Sequence, residues 1–572
     1  MAFNTPGVLI ILDGCGIRKD RRYNCVELAE TPFLDFLKGK GKKCLRDNYK
    51  EKAGVPFYTE ITAVGPAVGM PEGAKGSTAV GHEVISGVDY KHPMLALEKM
   101  VKGRRLINEA SDKAIDKAAL KKGSLHFVGL VSNNREHSHI KHLYSLIRRA
   151  VDKKVKDIKI HFITDGRGTP PHSAPSFAED LEEFIGETVK DTECRISIAT
   201  VVGRDTAMNR AAHSWNKTEE TYRAIAEGRG KKEKDLTSAL KKDYDRGLND
   251  QYISVRILGD YKGLKENDSV IFWNFRKDRM EFLARMFLMH EDEISSILRD
   301  SEDTSYGPDF IFRRETSGVC SDYSKINFCA LAEYYSGIGC PVILREPDNK
   351  WSLGRVLSDL GLKQFRISGV DKAKAVALLS GGKTDKIFKG EKRITVPLPE
   401  DTMKYIINYD REKGGSGYKL QPYENYPQIE LPDLTGKFIE LINDEPAGCF
   451  LANFCNPDMV GHTANVSSGI LAMEEVDKSL ERVALHTVAK GGFCIITADH
   501  GNLEELITDD DEPNTFHTAN KVPFIILGKG VKELRPEGNL SDVAPTFLDL
   551  LLDEEVFTKY SGFFRGKSLL RN

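Results

Sequence analysis

The chain has 572 residues, enough for more than one hydrophobic core, so two or three domains are expected. Its 82 basic and 85 acidic residues leave a formal net charge of -3, which argues against a nucleic-acid-binding or membrane-surface protein. Neither a signal peptide nor an apolar run long enough to cross a bilayer is recognisable. Ten cysteines without a CxxC pair indicate reduced thiols, and we expect a cytoplasmic protein.

The first predicted strand, GVLIILDG (7–14), is an almost continuous apolar run that ends in Asp13. Such a run is typical of a strand buried on both faces of a sheet. Further along, the glycine-rich stretch GAKGSTAVGHE (73–83) places two adjacent hydroxyls, Ser77 and Thr78, where a ligand can approach closely. A hydroxyl needs activation to become a nucleophile. The alternative is a structural turn or a phosphate cradle.

Strands in the middle of the chain end mostly in basic residues. The run LHFVGLVSNNREHSH (125–139) ends in His137 and His139, and His142 follows; one of these three histidines is a candidate proton carrier. The residues that follow these strands are His137, His139, His142, Asp165, Arg167, Arg204, Arg210, Arg276 and Arg279. Guanidinium groups bind phosphate and carboxylate bidentately. A single arginine is usually a surface or salt-bridge residue, so the recurrence after successive strands is what predicts an anion site.

Amphipathic stretches between the strands predict helices at 145–155, 219–228 and 469–488, whereas the charged segment 227–236 is interpreted as a loop or helix end. Alternation of strands with helices is typical of α/β layers around parallel sheets.

Strands near the C-terminus end in acidic residues and histidine. GCFLANFCNPD (448–458) ends in Asp458, and His462 follows four positions later, on the same side of one helical turn. GGFCIITADHG (491–501) ends in Asp499 and His500, and another apolar run (521–528) follows His517. Ligands of open α/β sheets collect at the carboxyl ends of the strands.

These endings predict two domains with different tasks, one holding metal and the other an anion. The metal domain would be discontinuous, formed by residues 1–88 and 346–572, with residues 89–345 inserted as the second domain. Its carboxylates and imidazoles suit manganese or zinc, and two ions sharing them would form a clamp for displacement at phosphorus. Metal coordination would also activate Ser77 or Thr78. The alternative, helix-capping aspartates and core histidines, explains single pairs better than the whole set.

The chain resembles the cofactor-independent phosphoglycerate mutases of the alkaline phosphatase superfamily. The resemblance runs nearly end to end and rests on ILDGCG, GMPEGAKGSTAVGH, HSHIKHL, HFITDGRGTPP, NFRKDR, NPDMVGHT, TADHGN and FHTANKVPF. It implies an alkaline-phosphatase-like parallel-sheet domain with an inserted α/β transferase domain. It also implies a glycolytic isomerase that interconverts 3-phosphoglycerate and 2-phosphoglycerate through a phosphoenzyme, with two Mn²⁺ ions and no bisphosphoglycerate. We expect a monomer that acts on a small phosphorylated substrate.

The resemblance also assigns roles to individual residues. One metal would be held by Asp458, His462 and His517, and the other by Asp13, Asp499, His500 and the nucleophile. Lys372 falls where the family has a lysine near the transferred phosphoryl group. The implied substrate-binding residues are His137, Asp165, Arg167, Arg204, Arg210, Arg276, Arg279 and Lys372.

Three departures from the family pattern stand out. Counting back four residues from His82 places the nucleophile at Thr78 and not at Ser77, although the family has serine there. Gly168 replaces an aspartate that would contact the glycerate hydroxyls, and larger residues, Arg135 among them, replace two glycines before His137. Two alternatives therefore stay open: a phosphatase or mutase of the same superfamily for another metabolite, and a non-catalytic binding protein.

Overall fold

A computed structural model describes residues 5–209, 214–301, 303–314, 323–345, 351–381, 387–403, 422–508, 511–528 and 533–571. The chain divides into two compact units, unit 1 (residues 1–92 and 348–572) and unit 2 (residues 93–347). Among the described residues, none of the helices has the length and apolar character that a membrane crossing requires.

The strands are numbered in chain order. They are β1 (Gly7–Leu12), β2 (Phe57–Ile61), β3 (Val101–Lys102), β4 (Arg105–Leu106), β5 (Leu125–Leu130), β6 (Asp157–Thr164), β7 (Arg195–Gly203), β8 (Lys231–Glu233), β9 (Arg256–Leu258), β10 (Ser269–Phe272), β11 (Asn327–Ala332), β12 (Val342–Leu344), β13 (Gln364–Gly369), β14 (Glu391–Val396), β15 (Cys449–Phe454), β16 (Phe493–Thr497) and β17 (Val522–Gly528).

The α-helices are numbered in the same way. They are α1 (Cys25–Leu28), α2 (Pro32–Leu37), α3 (Lys43–Ala53), α4 (Thr78–Ile85), α5 (Pro93–Met100), α6 (Glu109–Lys121), α7 (Ile140–Asp152), α8 (Ala174–Val189), α9 (Arg204–Ala207), α10 (Trp215–Glu227), α11 (Leu236–Tyr244), α12 (Glu281–Leu288), α13 (Glu291–Arg299), α14 (Leu353–Asp359), α15 (Ala373–Leu378), α16 (Leu431–Asp444), α17 (Asn456–Gly461), α18 (Val466–Ala489), α19 (Val543–Leu551) and α20 (Glu554–Ser561).

Unit 1 is built on a seven-stranded sheet in the order β14-β13-β15-β1-β16-β17-β2. The first five strands are parallel, and β1 lies between β15 and β16, so the residues after these three strands share one edge. Every residue of β1, β15 and β16 is buried, as their apolar sequences predict. The longest helix, α18, is capped by Asn465 and buries a stripe through Met473, Val476, Leu480 and Val483.

Unit 2 contains an eight-stranded sheet in the order β12-β11-β10-β5-β6-β7-β9-β8. Its strands from β12 to β7 are parallel, and β9 pairs with β7 in the antiparallel sense. The histidines and arginines singled out above follow the carboxyl ends of β5, β6, β7 and β10. The predicted α/β class with parallel sheets is therefore confirmed in both units.

The structure supplies the direction of one apolar run, which the sequence left open, and corrects one local prediction in part. The run at 521–528 forms β17, which is buried like a central parallel strand but runs antiparallel to β16. Burial on both faces, not strand direction, is what a continuous apolar run reports. The segment 227–236 contains the short edge strand β8, whose charged residues remain exposed or half-buried.

Candidate functional site

The metal-ligand candidates of unit 1 gather at the carboxyl edge of its sheet. Asp13 directly follows β1, Asp499 and His500 come just after β16, and α17, which carries Asp458, begins right after β15. Because these strands are adjacent and parallel, residues separated by more than 400 positions meet there. All four side chains are buried.

The glycine-rich stretch brings Thr78 to the same edge. Thr78 is the first residue of α4, so its hydroxyl lies beside the free backbone N–H groups of a helix N-terminus. A Cβ placed on Gly76 would lie 2.3 Å from the Cβ of His500, and one placed on Gly81 would lie 2.7 Å from the Cβ of Asp499. Glycine at both positions therefore allows this segment to lie directly against the strand end.

Asp458 is the centre of the first group of ligand candidates. Its Oδ1 lies 3.1 Å from Nε2 of His517 and 3.4 Å from Nε2 of His462, and the two imidazole nitrogens are 3.2 Å apart. Nδ1 of His462 lies 2.8 Å from the carbonyl oxygen of Thr515, and Nδ1 of His517 lies 3.0 Å from the carbonyl oxygen of Gly76. Nδ1–H donation leaves both Nε2 atoms as the potential metal ligands.

His500 joins the second group to the hydroxyl of Thr78. Its Nε2 is 2.9 Å from Oγ1 of Thr78, 3.5 Å from Oδ1 of Asp13 and 3.4 Å from Oδ2 of Asp499. The ring of His500 also stacks on that of His517, with centroids 3.8 Å apart, so the two groups are contiguous. The structure thus brings together all seven predicted metal-site residues.

The ammonium of Lys372 lies inside this cluster. Its Nζ is 2.5 Å from Oδ2 of Asp458, 3.0 Å from Oδ2 of Asp13 and 3.5 Å from Oγ1 of Thr78. Burial would lower the pKa of Lys372, but Asp13, Asp458 and Asp499 outweigh that effect and raise it, so the side chain is cationic. Burial likewise opposes ionisation of Asp458, yet opposing effects, of which the charge of Lys372 is the largest, outweigh it and hold the pKa of Asp458 well below the usual range.

The donor set fits divalent cations. Oδ1 of Asp13 and Oδ2 of Asp499 are buried and accept no hydrogen bond from the described residues. Ligand atoms of Asp458, His500 and His517 lie within 4.8 Å of one another, as do those of Asp13, Asp499 and His82. A buried carboxylate oxygen that accepts no hydrogen bond is stabilised by nearby positive charge, and oxygen with imidazole nitrogen is a donor set suited to manganese or zinc.

Two buried residues that sequence reasoning did not assign connect the ligands. Nδ2 of Asn453, on β15, donates to Oδ2 of Asp13 at 2.7 Å and lies 3.0 Å from Nε2 of His82. Nδ1 of His82 is 2.8 Å from the carbonyl oxygen of Thr78 and 3.2 Å from Oδ2 of Asp499. For Asn453, the sequence contained one signal, a polar residue within the apolar run LANF (451–454). His82 served only as the reference from which Thr78 was counted.

Glu504 is a third residue that the sequence did not reveal. It is fully buried, and its two oxygens accept hydrogen bonds from donors on three separate loops. The donors are the backbone N–H of Gly16 at 3.0 Å, the backbone N–H of Asn502 at 2.9 Å, the amide of Asn520 at 2.9 Å and the hydroxyl of Thr518. Glu504 therefore ties together the loops that carry Asp13, His500 and His517.

Replacing Glu504 by Gln is expected to weaken Mn²⁺ binding by at least tenfold, because the new NH₂ group faces N–H and O–H donors and loosens the ligand loops. Calorimetric titration of the metal-free protein with Mn²⁺ measures the effect. Glu512→Gln, an exposed change on the same segment, is the control and should leave the affinity unchanged. Equal affinities for the two variants would contradict the role of Glu504.

The candidates of unit 2 form a separate buried cluster. Arg204 joins Asp165 to His137: its guanidinium pairs with Oδ1 of Asp165, and its Nη2 donates to Nε2 of His137 at 2.8 Å. The hydroxyl of Ser132 donates to Oδ2 of Asp165 at 2.7 Å. These residues follow β5, β6 and β7, so their convergence is a consequence of parallel pairing.

The charge around His137 is strongly positive. Burial lowers the pKa of His137, and the charges of Arg204, Arg276, Arg279 and Arg167 lower it further, to about 2. The imidazole is therefore neutral at pH 7, and since Nε2 accepts from Arg204, Nδ1 carries the proton. That Nδ1 is buried without a hydrogen-bond partner among the described residues.

The other candidates of unit 2 are placed as follows. Nδ1 of His139 accepts a hydrogen bond from the backbone N–H of Lys141, so His139 caps helix α7. His142 is buried within the first turn of the same helix. Arg276 forms ion pairs with Glu136 and Asp278. Arg210 lies outside the described residues.

Arg204→Lys is expected to raise the KM for 3-phosphoglycerate, the substrate that the family resemblance implies, at least tenfold. The reason is that a single ammonium group cannot contact both the carboxylate of Asp165 and the imidazole of His137. Steady-state kinetics measures this effect, with Arg195→Lys as the control, since Arg195 is the exposed first residue of β7, the strand that ends just before Arg204. An unchanged KM in both variants would contradict a role for the guanidinium group of Arg204 in substrate binding.

Together, the fold and the carboxylate–imidazole cluster define a two-unit α/β protein with adjoining groups of side chains that could hold divalent cations beside a hydroxyl group. Residues 98–334 match a family model described as the BPG-independent PGAM N-terminus. A 2,3-bisphosphoglycerate-independent phosphoglycerate mutase from Hydrogenovibrio crunogenus is 34% identical over 559 residues, covering 96% of this chain and 95% of the relative. The enzyme of that name from Antithamnion sp. is 32% identical over 556 residues, covering 96% of both.

The described fold is also similar to that of a solved phosphoglycerate mutase from Leishmania mexicana, in a structure titled as obtained at low cobalt concentration. The TM-score is 0.67 and the identity 24%, and the match covers 99% of this chain and 98% of the other. The chain belongs to the 2,3-bisphosphoglycerate-independent phosphoglycerate mutase family.

Proposed function

We propose that the protein is an isomerase that interconverts 3-phosphoglycerate and 2-phosphoglycerate without 2,3-bisphosphoglycerate, through a phosphorylated Thr78 and with two Mn²⁺ ions. The observation that supports it most directly is the convergence of the Thr78 hydroxyl with three carboxylates, three imidazoles and Lys372 in unit 1. The near full-length likeness to relatives bearing that name supports the reaction.

Thr78 carries the phosphoryl group between the two positions of the substrate. In the first half-reaction a bond forms between Oγ1 of Thr78 and phosphorus, the bond from phosphorus to O3 of the glycerate breaks, and the threonine proton ends on O3. In the second half-reaction O2 attacks phosphorus, the bond to Oγ1 breaks, and the proton of O2 ends on Thr78. Lys372, 3.5 Å from Oγ1, stabilises the negative charge that develops there.

One cation would be held by Asp458, His462 and His517, and the other by Asp13, Asp499 and His500 together with Thr78. When bound, these ions supply positive charge that stabilises phosphoryl oxygens and lowers the pKa of a coordinated hydroxyl. Asn453 and Glu504 orient the ligands through the hydrogen bonds described above. The amide N–H groups at the start of α4 add further donors for a phosphate.

The cluster of unit 2 is assigned to the glycerate part of the substrate. Its arginines supply the bidentate donors that a carboxylate or a phosphate needs, and Arg204 is oriented for that task by Asp165. The neutral His137 can donate from Nδ1, which has no partner among the described residues. A proton-carrier role for His137 stays a prediction, since its lowered pKa makes it a weak base.

Metal removal tests the proposal. The purified protein, loaded with Mn²⁺ and given 3-phosphoglycerate, is expected to form 2-phosphoglycerate without inorganic phosphate, as followed by ³¹P nuclear magnetic resonance. Chelation should stop the reaction, Mn²⁺ should restore it, and added 2,3-bisphosphoglycerate should not change the rate, because the phosphoryl group stays on the enzyme and substrate.

Two results would overturn it. Release of inorganic phosphate without 2-phosphoglycerate would show a phosphatase instead, the outcome that the replacement of an expected aspartate by Gly168 keeps open. Bound metal close to zero after Mn²⁺ loading, measured by elemental analysis, would show a non-catalytic binding protein.

A further inference from the structure

The side chain of Asn134 occupies the space beside Gly168. A Cβ placed on Gly168 would lie 2.1 Å from Nδ2 of Asn134, 2.8 Å from its Cγ and 2.9 Å from Oδ2 of Asp165. The φ angle of Gly168 is not in the left-handed region, so glycine is needed here for space and not for its backbone conformation. The side chain of Asn134 can therefore occupy this position only because residue 168 has no Cβ.

The surroundings leave the amide of Asn134 available to a ligand. Asp165, directly beside it, is already engaged by Arg204, by the hydroxyl of Ser132 and by the backbone N–H of Gly168 at 3.0 Å. The backbone of Asn134 is anchored, since its N–H donates to Oγ of Ser132 at 3.1 Å. Its side chain is exposed and, within the part of the chain that the structure describes, makes one long hydrogen bond of 3.4 Å, to Glu136.

An amide and a carboxylate at this position would recognise different groups. The amide offers both an N–H donor and a carbonyl acceptor, which matches a hydroxyl group and adds no negative charge. A carboxylate only accepts, and it would neutralise part of the positive charge that Arg204 and its neighbours present to an anion.

We propose that Asn134 is a specificity-determining residue whose amide hydrogen-bonds the free hydroxyl of a phosphorylated hydroxy acid, and that Gly168 is required to leave room for that amide. This inference rests on the proposed function, because it takes the cluster of unit 2 as the glycerate site. It assigns the recognition of the hydroxyl to a loop residue between β5 and α7.

Substitutions at the two positions test the coupling. Asn134→Ala removes the amide, and Gly168→Ala displaces it, since the most severe contact of the new Cβ, at 2.1 Å, is with the end of an exposed side chain, whereas its contact with Oδ2 of Asp165, at 2.9 Å, is much less severe. Each variant is expected to weaken binding of 3-phosphoglycerate by about tenfold, with kcat within about threefold of the unsubstituted protein. The double variant should bind 3-phosphoglycerate no more weakly than the single variant with the lower affinity, because both changes act through the amide of Asn134. Asn133→Ala, the exposed neighbour, is the control and should bind normally.

A second ligand identifies the group that the amide reads. Binding of 3-phosphooxypropanoate, which lacks the hydroxyl, should be the same in Asn134→Ala and in the unsubstituted protein. The inference is overturned if Gly168→Ala binds 3-phosphoglycerate normally, if the two effects multiply in the double variant, or if both ligands lose affinity equally. Binding is measured by calorimetry on the full chain, so a protein that bound 3-phosphoglycerate without isomerising it would refute the proposed function and still decide the role of Asn134.

Discussion

Thr78→Ala is expected to lose mutase activity by about 10⁴-fold or more, whereas Ser77→Ala should stay within about tenfold of the unsubstituted protein. The hydroxyl of Thr78 is 2.9 Å from His500 and 3.5 Å from Lys372. Ser77 precedes α4 in an extended conformation, and its side chain does not cap the helix. Removing the nucleophile of a covalent mechanism eliminates the intermediate, and binding alone supplies the residual rate.

Quenching the reaction and mapping the phosphorylated peptide by mass spectrometry locates the modified residue directly. Thr78→Ser, which keeps a hydroxyl at the same position, is the matched variant and should retain both the phosphopeptide and most of the activity. Phosphate on Ser77, or an active Thr78→Ala protein, would show that the register counted from His82 assigns the wrong hydroxyl.

Lys372→Met is expected to lower the activity by about 10³-fold, since the cation beside the reacting oxygen is lost. The metal-free protein should also lose roughly 3–5 kcal/mol of its free energy of unfolding, because Asp458 and Asp13 lose the buried charge that lies 2.5 Å and 3.0 Å from them. Mn²⁺ should then stabilise the variant more than the unsubstituted protein, since bound cations replace the missing positive charge.

Thermal unfolding with and without Mn²⁺ measures this difference. Lys374→Met is the control, because Lys374 is an exposed lysine two residues further along the same segment. It should unfold and respond to Mn²⁺ like the unsubstituted protein. Metal-free Lys372→Met that is as stable as the control would mean that the three buried aspartates do not depend on this lysine for their charge.

The sequence predicted the candidate metal ligands, but it did not predict the residues that hold those ligands in place. Asp13, Asp458, Asp499 and His500 were predictable because each follows a continuous apolar run, and such runs mark buried strands whose ends meet at one edge. Glu504, which lies five residues after one of these aspartates, was missed because three of its four donors lie on other loops, between 14 and 488 residues away in the chain.

What a pattern of neighbouring residues contains is short-range: strand and helix periodicity, the residue types at strand ends, and the motifs that carry the family resemblance. These were enough to predict the α/β units and the seven residues, Asp458 and His500 among them, that converge at one edge of the unit 1 sheet. The placement of Lys372 between two carboxylates, the links made by Asn453 and His82, and the space that Gly168 leaves for Asn134 depend on packing between distant segments. Distances of a few ångströms between such segments follow from how strands and helices pack, and a linear pattern does not encode them locally.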